Sequence, residues 1–150
     1  MSSRILYTAK DYIELINADH RGGQLYHDIS EELQRMLGDS DDDKGFYPKG
    51  MHLGDNKKTK LVDCEIYYFT SKNLFIYKPG IDGPSTIRVK RLNDIKDISL
   101  TLDSEHSDEA RLELVFDSGD IFEFDSIKDA HEDYKIRYSN RIKEIYNNLI

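Results

Sequence analysis

The chain has 150 residues, 38% of them hydrophobic and 33% charged, with 10 Tyr, 6 Phe and no Trp; that is one domain's length, enough to bury about 70% of the unfolded surface. The net charge of −8 runs against the Lys/Arg excess that nucleic acids and anionic bilayers select, so no nucleic-acid partner and no membrane binding are expected. One cysteine, Cys64, excludes an internal disulfide; no apolar run could cross a membrane and residues 1–8 have no signal-peptide core, so a cytoplasmic location is expected.

Residues 8–38 carry helical periodicity. Thr8 and Asp11 have capping-box spacing, and Ile13, Leu15 and Ile16 follow. Gly22 and Gly23 interrupt the pattern, since adjacent glycines disfavour helix. A second helix is expected through Leu25, Ile29, Leu33, Met36 and Leu37, with Asp28 to Glu31 as its cap and Gly38 as its end. These two helices form a hairpin too small to stand alone. With the acidic stretch that follows they make up residues 1–45, expected to pack as one unit with residues 46–150.

From Phe46 the period changes to two. Strands are expected over residues 46–53, 64–70 and 74–78, the last two joined by a tight turn at Ser71, Lys72 and Asn73. Residues 79–84, with Pro79, Gly80, Gly83 and Pro84, read as a loop. In the strand over residues 86–91, Ile87 and Val89 are expected to point inward. Ile98, Leu100 and Leu102 alternate next, then Leu112, Leu114 and Phe116, then Phe122 and Phe124. Short connections throughout imply antiparallel pairing.

A last helix is expected from Ser126 and Asp129 onward, with Ile127, Ala130, Tyr134, Tyr138, Ile142, Ile145 and Leu149 on one buried stripe. Lys128, Glu132, Asp133, Lys135, Arg137, Arg141 and Lys143 are left for water.

The run from Tyr67 to Tyr77, Tyr-Tyr-Phe-Thr-Ser-Lys-Asn-Leu-Phe-Ile-Tyr, resembles the strand, Thr-x-x-x-Leu, strand signature of bacterial pleckstrin-homology-like and GRAM-like domains. Leu92-Asn-Asp-Ile-Lys-Asp-Ile98 and the hairpin from Leu112 to Phe124 are similar to the phrases that follow in that superfamily. The resemblance covers residues 46–150, and the chain also looks like a small protein of Gram-positive bacteria. It implies an α+β fold: a PH-like antiparallel β-barrel of about seven strands with a C-terminal helix over one end. The N-terminal helical hairpin is an addition to that pattern.

No constellation of catalytic residues stands out. Cys64 lies in a strand with no neighbouring His, and the five His lack ligand spacing. Asp39, Asp41 and Asp43 alternate like the start of a calcium loop, but Lys44 and Gly50 occupy the positions that need Gly and Glu. The expectation is therefore no enzyme and no cofactor. The resemblance implies one candidate anion site, because some pleckstrin-homology domains bind phosphoinositide headgroups through basic residues. Lys57, Lys58, Lys60, Arg88 and Lys90 are the candidates here.

Three functions remain open: a non-catalytic module that binds a protein partner or a copy of itself, an anionic-lipid or phosphate headgroup binder, and an acidic nucleic-acid mimic. For the first, the strands flanking residues 79–84 are the candidate contact edge, with Tyr67 and Tyr77 as aromatic anchors.

Overall fold

A computed structural model describes residues 6–18, 23–37, 42–51, 64–80, 83–103 and 108–150. Two helices lead: α1 (Ala9–Ala18) and α2 (Gly23–Leu37). At the start of α1, the Asp11 N–H donates to Thr8 Oγ1 and the Thr8 N–H to Asp11 Oδ2, both at 3.2 Å. This reciprocal pair satisfies donors that a helix start leaves over. The expected cap of the second helix is corrected: α2 already begins at Gly23, and Asp28 sits inside it, accepting from Gln24 Nε2 at 2.8 Å.

Seven strands follow among the described residues. β1 (Gly45–Lys49), β2 (Glu65–Phe69), β3 (Asn73–Lys78) and β4 (Thr86–Arg91) form one antiparallel sheet in that order. β5 (Ile95–Leu102), β6 (Ala110–Phe116) and β7 (Ile121–Asp125) form a second. β1 stops at Lys49, short of the expected Leu53, because Pro48 and a positive φ of 90° at Gly50 turn the chain. A 3-10 turn, Leu92–Asp94, carries the chain from one sheet to the other. The α+β class, the antiparallel pairing and the terminal helix match the expectation.

The core has two layers. Between the sheets, Tyr47, Tyr67, Phe69 and Ile76 meet Leu112, Leu114, Phe116 and Phe124. Rings pack edge-on there, with Tyr47 and Tyr67 at 4.9 and 5.0 Å from Phe124. On the outer face of the first sheet, Phe46, Ile66, Tyr68 and Tyr77 pack under Tyr12, Ile16, Ile29 and Leu33 of the helical hairpin. β2 is thus buried on both faces, which explains its unbroken apolar run Ile66-Tyr-Tyr-Phe69. The acidic stretch is tied in as well: Asp42 accepts from the Ser71 N–H and hydroxyl, and Asp43 from the Gly45 N–H.

The terminal helix α3 (Lys135–Leu149) starts later than the spacing predicts. Ser126 and Asp129 do not cap it; Ser126 Oγ accepts from the Ala110 N–H across the end of β6, and Ile127 is exposed. Tyr138, Ile142 and Ile145 are buried as expected. Arg141 is not on the wet face: it is 5% exposed and donates to the carbonyls of Leu6, Tyr7 and Phe46.

Candidate functional site

The strand expected to bury Ile87 and Val89 does the opposite. In β4 these side chains are 46% and 52% exposed, whereas Lys90 is partly buried. The alternation is real but its phase is reversed. Arg88 and Lys90 set their charged groups over rings at the rim of the inter-sheet core, the Arg88 guanidinium 5.7 Å from the centre of Phe122 and Lys90 Nζ 5.3 Å from that of Phe116. Their charged ends reach Asp120 in the β6–β7 turn, Lys90 Nζ at 2.6 Å and Arg88 Nη2 at 3.4 Å. Lys90 and Ser118 hold the Asp120 carboxyl below its usual pKa through hydrogen bonds.

Ile87 and Val89 therefore lie on the same outer face as their cross-strand partners Tyr77 and Phe75. The helical hairpin covers that face over β1 to β3. Tyr77 is fully buried and donates to Glu32 of α2. Beyond β3 the cover ends, and β4, an edge strand, is left with two apolar side chains toward solvent. A cleft of about 430 Å³ lies between the end of α2 and the β2–β3 turn, lined by Leu37, Tyr68 and Phe75 among others and by no residue of β4. Edge position and exposed apolar side chains thus coincide on β4.

The predicted anchors do not belong to it. Tyr67 is 6% exposed, points into the inter-sheet core and is ringed by Phe122 and Phe124; Tyr77 lies under α2. Neither offers a surface, because β2 and β3 are interior strands covered on both faces. What remains of that expectation is the strand after residues 79–84. Of the candidate anion residues, Arg88 and Lys90 are brought together around one carboxylate; Lys57, Lys58 and Lys60 lie outside the described residues.

A second polar cluster is structural. Asp129 is buried and accepts from the Tyr47 hydroxyl at 2.7 Å and the Asp125 N–H at 2.9 Å, with Lys49 Nζ at 3.9 Å. Burial raises its pKa in spite of these partners. Lys49 also donates to the Glu123 carbonyl, so the group pins β1 to β7. Sequence spacing could not have found it, since its members come from two segments whose bonded residues lie 82 and 74 positions apart. No group of three or more metal-ligating side chains occurs among the described residues, and no described helix is long and apolar enough to cross a membrane.

Comparison with known families, with curated proteins and with solved structures finds no match.

Proposed function

We propose that this chain is a non-catalytic protein-interaction module of the cytoplasm, with its two sheets and α3 forming a PH-like barrel and the helical hairpin acting as a fixed buttress on the first sheet. Its contact surface is the outer face of β4. The observation that carries the reading is the exposure of Ile87 and Val89 on an edge strand, next to the part of the same face on which the helical hairpin packs. Monomeric surfaces expose single apolar residues freely; here two lie together on one edge strand, among the cations Arg88, Lys90 and Arg91, and that combination supports a docking strip.

The test is an affinity purification of the tagged full chain from its source cells, run beside the double variant Ile87→Asp, Val89→Asp. Both side chains are exposed, so the variant is expected to fold and melt like the parent. The parent is expected to retain a defined protein partner that the variant loses. An unchanged partner set contradicts the reading, as does recovery of no protein above a control, or turnover traced to a defined pocket of the chain.

A further inference from the structure

In an antiparallel ladder the N–H and C=O of a residue point to the same side of its strand, and the side alternates along the chain. The β2–β3 turn fixes the phase here, because the Thr70 N–H donates to the Asn73 carbonyl at 2.9 Å. Asn73, Phe75 and Tyr77 therefore turn their backbone groups to β2, and Leu74, Ile76 and Lys78 turn theirs to β4. The partners of these last three are Lys90, Arg88 and Thr86, which point back at β3. The Leu92 N–H to Lys72 carbonyl bond, 2.9 Å, continues the same phase. Ile87 and Val89 thus direct their N–H and C=O groups out of the sheet, to a side where no described strand lies. Among the described residues, Ile87 and Val89 combine exposed apolar side chains with outward-facing backbone groups.

We infer that β4 takes up an extended segment of a partner protein as an added strand, and that this segment alternates apolar with acidic side chains. The inference rests on the interaction-module reading and adds the partner's chemistry to it. On the outer face, apolar side chains of the added strand meet Ile87 and Val89. On the other face its acidic side chains meet Arg88 and Lys90, two cations that share the single carboxylate of Asp120. Arg88 is the more weakly held and half-exposed, so an incoming carboxylate completes its pairing. Arg91, exposed at the end of the strand, lies on the outer face with Ile87 and Val89 and is a third cation of β4.

A second copy of the chain meets the opposite condition. Antiparallel pairing of β4 with itself in the registers centred on Arg88 or Val89 sets a cation across from a cation, and like charges directly opposite destabilise a strand pair. The net charge of −8 does not override the contact, because salt screens distant charges beyond about 8 Å.

The experiment titrates the full chain into a labelled peptide of alternating valine and glutamate, as long as β4, and follows fluorescence anisotropy. A valine–lysine peptide and a single-stranded oligonucleotide are the comparisons. Val89→Pro is the main variant, since the Val89 N–H faces outward and proline there leaves the ladder to β3 intact while removing a donor. The expected result is saturable binding of the valine–glutamate peptide, about tenfold weaker in Val89→Pro, with little binding of either comparison. Should Val89→Pro fail to fold, Ile87→Lys, at an exposed side chain, is expected to give the same loss.

Equal binding of the acidic and basic peptides, tighter binding of the oligonucleotide, unchanged binding in both variants, or no binding up to about 1 mM overturns the inference. So does a dimer of the parent chain that Val89→Pro dissociates. These outcomes are separable from failure of the broader reading: if the peptide fails while Ile87→Asp, Val89→Asp still loses the cellular partner, only the strand chemistry is wrong.

Discussion

Arg141 of α3 donates from Nη2 to the Leu6 carbonyl at 2.8 Å, a bond between residues 135 positions apart. The same guanidinium serves Tyr7 at 3.0 Å and Phe46, so one buried cation joins the approach to α1, the first strand and the last helix. Glu144 stands 3.8 Å from Arg141 Nε, and burial lowers the pKa of the guanidinium below its usual value. Arg141→Met keeps much of the volume and removes every donor, leaving three carbonyls without that partner. We expect a loss of about 3 kcal/mol in urea unfolding. A change within about 0.5 kcal/mol would show that the guanidinium holds nothing in place.

Two buried serines should respond oppositely to alanine. Ser126 and Ser139 are both fully buried, but Ser126 Oγ accepts from the Ala110 N–H at 3.0 Å, whereas Ser139 Oγ has no hydrogen-bond partner among the described residues. Ser126→Ala is expected to cost about 1–2 kcal/mol by stranding a buried amide. Ser139→Ala, which removes an unsatisfied hydroxyl, is expected to be neutral or stabilising by up to about 1 kcal/mol. Thermal melts of the two variants check this; a shared direction contradicts it.

How far these relationships are legible in the sequence depends on whether the signal is local. Period-two and helical patterns place the seven strands and three helices, because burial of one face imposes those repeats. They do not say which alternate set faces in. In β4 the cations Arg88 and Lys90 turn toward the core rim, since their stems are apolar and Asp120 waits beyond. Arg141 reads as a wet residue because its three acceptors lie far away in the chain. For the site, the strands around residues 79–84 are legible as candidates. The tyrosines mislead, because spacing cannot tell an interior strand from an edge or foresee a second helical layer on the sheet.

Gly45 and Ile145 form a close contact between β1 and α3. A Cβ at Gly45 would lie 2.5 Å from Ile145 Cγ1. Gly45→Ala is therefore expected to cost about 1–3 kcal/mol, and Ile145→Ala about 3 kcal/mol through the cavity it leaves. In the double variant the new methyl enters that cavity, so the combined loss should fall short of the sum by more than about 0.5 kcal/mol. Additive losses would place the cost of Gly45→Ala elsewhere.

The buried Asp129 carboxyl predicts a pH dependence. Its pKa is raised above 3.8, chiefly by burial. The folded state then holds its proton at a pH where the unfolded chain has released it, so stability is greatest below the unfolded value and falls as pH rises through the folded one. Asp129→Asn removes this titration. The difference in unfolding free energy between parent and variant is expected to drift against the parent as pH rises from about 4, then level off. A drift in the parent's favour contradicts the raised pKa.

The claim at the centre of this account is that β4 is an open edge whose free backbone groups belong to Ile87 and Val89. Residue-resolved amide hydrogen exchange on the isolated chain tests it most directly. Arg88 and Lys90, which pair with Ile76 and Leu74 of β3, should exchange slowly, and Ile87 and Val89 between them should exchange fast. Protection alternating in this way along one strand is the predicted result. Slow exchange at all four amides would mean that the edge is already closed by the chain itself or by a second copy, and the docking strip would not exist.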